Sequence, residues 1–354
     1  MNSPGSGDQL PLTRKATFYL ITVLITFVLF AGAAEVVLRA IGVRPWQEPE
    51  VSLQVVPGGK LDRLHPTLGY THLPGRYVVT LGSGYSFRMT HLPNTLRITR
   101  PLESYADTER KEGIWIFGCS YTHGWSNNDE VTYPWLLQER FPQYDIVNFG
   151  AGGYATTQAL LQFREALKTA TPRVVILAYA GFHDQRNTFA RIHRKSVARW
   201  NKLGPFRHPY ARLDRQGKLH HGFADVDYSE FPLVRYSALA HYIEMNYDRL
   251  ESRWLQSHAV SEALVKEMAS LARQHGVTFV IATIADRHAG KHMLDFAQKN
   301  GISRVDISVD PKLPENTNLP HDGHPSAIAN KQYADTLERY LRAEILTQPL
   351  RGES

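Results

Sequence analysis

The most regular feature of the chain is an uncharged run from Ala16 to Ala34, ATFYLITVLITFVLFAGAA, nineteen residues long. That is close to the roughly 20 residues a helix needs to cross a bilayer core. Arg14 and Lys15 precede the run and Glu35 follows it. Because basic flanks stay on the cytoplasmic side, the pattern predicts a cytoplasmic tail over 1–15, a membrane helix over 16–34 and an extracytoplasmic remainder. Apolar positions continue at helical spacing through Val36, Val37, Leu38 and Ile41, which predicts one helix running on past the bilayer. A cleaved signal peptide is the competing reading, since Ala31-Gly32-Ala33 has the small residues of a processing site.

Over 35–112 the pattern changes to a juxtamembrane helix and then to Pro, Gly and Thr with short alternating stretches, Tyr77 to Thr80 and Tyr85 to Met89. These predict a small β-rich extension packed on a main domain. From Gly113 short apolar runs at Ile114–Phe117, Ile146–Phe149, Val174–Tyr179 and Val277–Ile284 alternate with helical spacing at 135–141, 156–169, 259–275, 293–300 and 327–341. Buried strands alternating with helices predict an α/β fold, a three-layer α/β/α sandwich on a parallel sheet, over 113–345, followed by a tail over 346–354. Chemistry in such a fold gathers at the carboxyl ends of the strands.

Composition sharpens this picture in two places. With 43% hydrophobic residues in 354 the chain has ample material for a core, which excludes disorder as its main state. A single cysteine, Cys119, excludes an internal disulfide, a cysteine-rich zinc site and an iron–sulfur cluster. The formal charge of +6 comes from 40 basic and 34 acidic residues, too even a balance to imply nucleic-acid binding.

The unusual residues lie at the expected strand ends. Gly118-Cys119-Ser120 forms a tight strand-to-helix turn that makes Ser120 a candidate nucleophile, a helix N-cap being its plainer reading and Cys119 a second candidate. Asn148 to Gly153 is a glycine-bearing block whose N–H groups could face a ligand, and a structural turn accounts for it equally well. Ala180-Gly181-Phe182-His183-Asp184 ends the third strand, and Asp322-Gly323-His324 precedes the last helix.

In order and spacing these four blocks resemble the SGNH hydrolases, also called GDSL-like esterases, over roughly residues 113–342. The resemblance implies Ser120 as nucleophile, His324 as general base and Asp322 as its carboxylate. It also implies an oxyanion hole from the N–H groups of Ser120 and Gly153, with His183 where the family has an asparagine donor. Cys119 replaces the usual aspartate of Gly-Asp-Ser, and Asp-x-His stands one residue shorter than the usual Asp-x-x-His. His321 and His324 lack the spacing of helical metal ligands, so no metal or other cofactor is expected.

From Arg186 to Lys218 ten basic residues face one acid, Asp214, within an insertion over about 186–230. It reads either as a solvated face or as an electropositive rim in which Arg194 and Lys195 meet substrate. Together these readings point to a single-pass inner-membrane serine esterase whose catalytic domain is extracytoplasmic, periplasmic in a Gram-negative cell. It would remove short O-acyl groups, acetyl first among them, from envelope glycans or lipids. An O-acyltransferase using the same Ser–His pair, and a non-catalytic glycan-binding module on the same fold, remain the alternatives.

Overall fold

The computed structural model describes residues 11–48, 52–106, 111–285 and 287–347. Most of the cytoplasmic tail expected over 1–15, and most of the tail over 346–354, lie outside these residues. The chain forms two compact units, Met1–Pro49 with Ser229–Leu250, and Glu50–Tyr228 with Glu251–Ser354.

In the smaller unit α1 (Leu12–Ala40) is a single 29-residue helix, about 43 Å long at 1.5 Å per residue. As the apolar spacing predicts, it does not break at the Ala31-Gly32-Ala33 site. No charged residue interrupts its middle, Phe18, Leu24, Phe27 and Phe30 stand exposed, and the helix is long and apolar enough to cross a membrane. Its far end is tied to the returning segment: Glu35 accepts hydrogen bonds from Ser237 Oγ and the Ala238 and Leu239 N–H groups at 2.8–2.9 Å. That carboxylate satisfies first-turn donors of a later helix that begins at Ala238.

The larger unit opens with five strands: β1 (Leu53–Val56), β2 (Asp62–His65), β3 (Gly69–His72), β4 (Gly75–Leu81) and β5 (Ser86–His91). β1, β4 and β5 form one antiparallel sheet and β2 pairs with β3. Val55, Tyr77, Val79, Phe87 and Met89 make a small core between them. Alternation of inward apolar and outward polar residues along β4 is what gives these strands a dry face.

The chain then runs β6 (Gly113–Phe117), α2 (Ser120–His123), α3 (Tyr133–Arg140), β7 (Asp145–Asn148), α4 (Thr156–Ala166), β8 (Val174–Ala180), α5 (His183–Asn187) and α6 (Arg191–Trp200). A hairpin of β9 (Arg207–Leu213) and β10 (Leu219–Asp225) follows, then α7 (Ala238–Trp254), α8 (Ser257–Gln274), β11 (Thr278–Ala285), α9 (Arg287–Lys299) and β12 (Ser303–Asp306). A two-residue β13 (Thr317–Asn318), β14 (Asp322–Pro325) and α10 (Ala327–Tyr340) close the fold.

The central sheet is parallel with the order β12-β11-β8-β6-β7. Its strands are buried on both faces, so they read as continuous apolar runs, and odd and even residues divide between two cores. Trp115, Phe117, Val175, Leu177, Phe279 and Ile281 pack with residues of α4, α8 and α9. Ile114, Ile116, Val174, Ile176, Val280 and Ala282 pack with α3 and α10. Helices on both faces complete the three layers. β6 comes first in the chain, and its neighbours β7 and β8 lie on opposite sides, so the winding reverses at the carboxyl end of β6. That crevice is where a doubly wound sheet offers space to a ligand.

Candidate active site

Ser120 is the first residue of α2, directly past the carboxyl end of β6. A Cβ on Gly118 would collide with Thr122 Oγ1, so glycine lets the helix fold back this close to the strand. Cys119 is extended, with φ −98° and ψ −155°, and is 0% exposed. The hydroxyl rather than the thiol meets an imidazole: Ser120 Oγ lies 2.9 Å from His324 Nε2.

His324 and Asp322 stand two apart on β14, so their side chains share one face of the strand. Asp322 Oδ1 accepts from His324 Nδ1 at 2.5 Å and from the His324 backbone N–H at 2.8 Å. Asp-x-His therefore does by strand periodicity what a longer spacing does elsewhere, while His321 turns away and stacks on Tyr85. The second carboxylate oxygen accepts from Trp125 Nε1 at 2.8 Å. Burial pushes the Asp322 carboxyl up, but the hydrogen bonds from His324 and Trp125 outweigh it and hold the group below the ordinary carboxylate value. A carboxylate kept ionised beside Nδ1–H leaves the Nε2 lone pair facing the hydroxyl.

The two backbone donors expected to face an oxyanion are the Ser120 and Gly153 N–H groups. Among the described residues neither the Ser120 nor the Gly153 N–H has an acceptor within the protein. Gly153 has φ +75°, which favours glycine. The extension supports this loop: Tyr70 on β3 donates to the Gly152 carbonyl at 2.6 Å, and Tyr154 donates its hydroxyl to the Tyr70 carbonyl. Asn148 braces the loop's start, accepting from Gly150 N–H at 2.9 Å and donating to the Thr122 carbonyl at 3.0 Å.

Behind α2, Arg97 is 1% exposed. It donates to Asp129 Oδ1 at 2.8 Å and to the carbonyls of His123, Gly124, Asn127 and Arg88 at 2.7–3.2 Å. All five guanidinium N–H bonds are thus used, and the loop from α2 to α3 is held by one side chain.

No family model matches the chain, and no curated protein matches it. Solved structures do. A member of the lipolytic G-D-S-L family from Veillonella parvula is 10% identical, covers 65% of this chain and 99% of its own, and has a TM-score of 0.39. A GDSL-like lipase from Bacteroides thetaiotaomicron is 13% identical over 68% of this chain and 94% of its own, with a TM-score of 0.39. The psychrotrophic esterase EstA from a Pseudoalteromonas species is 11% identical over 66% and 100%, at 0.37.

Three expected site residues stand differently. His183 opens α5 with its ring enclosed against Tyr179 and Phe182, and neither ring nitrogen has a hydrogen-bond partner. Burial, with Arg186 adjacent, holds it well below the ordinary histidine value, so the ring is a neutral interior group. Lys195 is 7% exposed on α6, and Arg194 is paired with Glu251 at 3.2 Å. Lys195 thus lies on the buried side of α6 with Arg191, His193 and Val197, and the half-buried Arg194 is held by the Glu251 carboxylate rather than standing free. The basic stretch is folded into α6 and the β9–β10 hairpin, its charges partly matched by Glu251, Asp214 and Asp225.

Sequence reasoning missed Tyr70, Arg97 and Trp125. Each acts across more than 25 residues of chain, and no local pattern marks such a partner.

Proposed function

We propose that the chain is a serine esterase of the SGNH type, anchored by α1 and acting on short O-acyl esters, acetyl first, of extracytoplasmic glycans or lipids. One observation carries the reaction class: the unbroken relay from Ser120 Oγ to His324 Nε2, and from His324 Nδ1 to Asp322 Oδ1. As Ser120 Oγ attacks the ester carbonyl, His324 takes its proton and Asp322 stabilises the imidazolium. The Ser120 and Gly153 N–H groups receive the tetrahedral oxyanion, each such donor contributing about 3 kcal/mol. His324 then protonates the departing alcohol, and water activated by the same imidazole releases the acid and restores Ser120.

The external location is part of the proposal and rests on the length of α1 and its flanking Arg14 and Lys15. The complete relay favours an enzyme over a binding module. The test is labelling of detergent-solubilised protein with a serine-directed phosphonate, wild type against Ser120→Ala, together with acetate release from an acetylated polysaccharide. Labelling of wild type alone, with acetate released in water, is expected. Equal labelling of both proteins would remove Ser120 from the site, and release only on addition of a sugar acceptor would replace the hydrolase by a transferase.

A further inference from the structure

A second cluster of chemistry-bearing side chains lies against the nucleophile helix. His72 ends β3, His91 ends β5 and His123 ends α2, all three buried. One ring nitrogen of each lies within 4.8 Å of those of the other two. The outer nitrogens of two rings are already engaged: His72 Nδ1 faces Asp62 Oδ1 at 2.7 Å and His91 Nδ1 faces the Leu73 carbonyl at 3.1 Å. A carboxylate or carbonyl in that position holds the ring proton on Nδ1 and leaves the Nε2 lone pair pointing inward.

Inside the cluster the hydrogen bonding does not close. His72 Nε2 is enclosed and has no partner. His91 Nε2 and His123 Nε2 approach to 2.9 Å, and with His91 protonated on Nδ1 the shared proton belongs to His123. His123 Nδ1 is then an enclosed acceptor, also without a partner. Enclosed polar atoms left unpaired are uncommon because each forfeits its hydration. Here two of them fall within one group of three imidazoles.

We propose that His72, His91 and His123 are the protein ligands of a borderline transition-metal dication such as Zn²⁺, which ties β3 and β5 of the extension to the helix carrying Ser120. Three imidazoles with water as a fourth donor suit such an ion, whereas Mg²⁺ and Ca²⁺ require oxygen ligands. The Asp62–His72 and Leu73–His91 contacts are the outer hydrogen bonds that orient metal-binding histidines. Nearby fixed charges admit a cation: Arg97 is paired with Asp129 at 2.8 Å, and Asp62 adds a further carboxylate.

Binding asks the rings to reorient, because the nearly parallel planes of His72 and His91 must turn by tens of degrees before their in-plane lone pairs converge on one ion. Tetrahedral zinc with bonds of about 2.0–2.1 Å holds its ligand nitrogens roughly 3.4 Å apart, so His91 and His123 separate by about half an ångström. The stacked rings of His72 and His91, 4.4 Å apart and 7° from parallel, tilt towards the ion. The proton on His123 Nε2 passes to its Nδ1. No step of the serine reaction runs through the metal, so this site stands or falls independently of the esterase.

The experiment uses full-length protein in detergent, stripped with a chelator and titrated with Zn²⁺ against a chromophoric competitor, with Co²⁺ absorption as a second readout. Wild type should take up one Zn²⁺ per chain, show the visible bands of tetrahedral Co²⁺ and ignore Mg²⁺. His72→Gln should lose the site. Asp62→Asn, at a partly exposed position that leaves all three ligands in place, should weaken Zn²⁺ binding about 10- to 100-fold. His292→Gln, which removes one of an exposed histidine pair with His288, should bind as wild type does. Absence of stoichiometric Zn²⁺ in wild type would overturn the proposal. So would unchanged binding in both folded His72→Gln and Asp62→Asn, or loss of the single equivalent in His292→Gln alone.

Discussion

At the residue scale, Ser120 and Cys119 are adjacent yet differ in every relevant respect, because successive residues leaving a strand point to opposite sides. The thiol is enclosed and serves packing; the hydroxyl touches His324. Ser120→Ala should lower turnover of a short-chain ester by about 10³-fold or more, whereas Cys119→Ala should retain most of it. Ester hydrolysis by the two purified variants checks this, and a dead cysteine variant would reverse the assignment. Trp125 offers a subtler test. Its indole N–H supports the lowered Asp322 carboxyl, and a depressed carboxylate contributes stability above its unfolded value that is lost as pH falls through its native one. Trp125→Phe removes the donor and raises the carboxyl. Its acid unfolding should therefore begin at higher pH than in wild type, as acid denaturation of the two proteins would read.

At the element scale the nucleophile turn, the Asn148–Gly153 loop and β14 are short pieces with little core of their own, held by partners from elsewhere. Tyr70→Phe deletes one hydrogen bond to the glycine loop. It should cost about 1 kcal/mol, seen as a fall of several-fold in kcat at nearly unchanged KM. Arg97→Met removes the hub of the loop between α2 and α3 and leaves Asp129 without its buried partner. Breaking such a pair costs about 3–5 kcal/mol, and a fall in the denaturant midpoint is the expected readout. The blocks that meet at the candidate site were legible from their strand-end positions. These supports were not, since hydrogen bonds between residues 82 or 197 apart leave no periodic trace. The short strand β12 and the β9–β10 hairpin escaped for a related reason. Neither has an apolar run long enough to stand out from its surroundings, although β12 is a full member of the parallel sheet.

At the scale of the whole molecule, helices of the sandwich are also tied to one another by charge. Asp184, after β8, accepts from Tyr179 Oη at 2.6 Å and meets His258 of α8 at 2.9 Å. Hydrogen bonding to Asp184 raises His258 above the ordinary histidine value. A raised imidazole contributes stability that is complete below its unfolded value, near pH 6.5, and fades as pH rises through the native one. The gap in thermal midpoint between wild type and His258→Gln should accordingly be widest at about pH 6 and shrink towards about pH 9. A gap that stays constant with pH would assign the contact to packing alone.

The membrane-length helix, the alternation of strand and helix, and the order of the Ser, Gly and His blocks were all decided by the sequence. Each depends on periodicity or on residue type within a few positions, and burial enforces both: a strand covered on two faces must be apolar throughout, and a helix in lipid must carry no charge. Only the tertiary structure decided that Asp322 and His324 are hydrogen-bonded to each other, because that follows from β14 being a strand rather than a turn. It also buried His183 and Lys195 and paired Arg194 with Glu251, since the fate of a lone polar side chain is set by whichever distant group can pair with it or cover it. The three histidines beside Ser120 belong to the same class. His72, His91 and His123 come from three separate segments, and folding alone places them within reach of one ion.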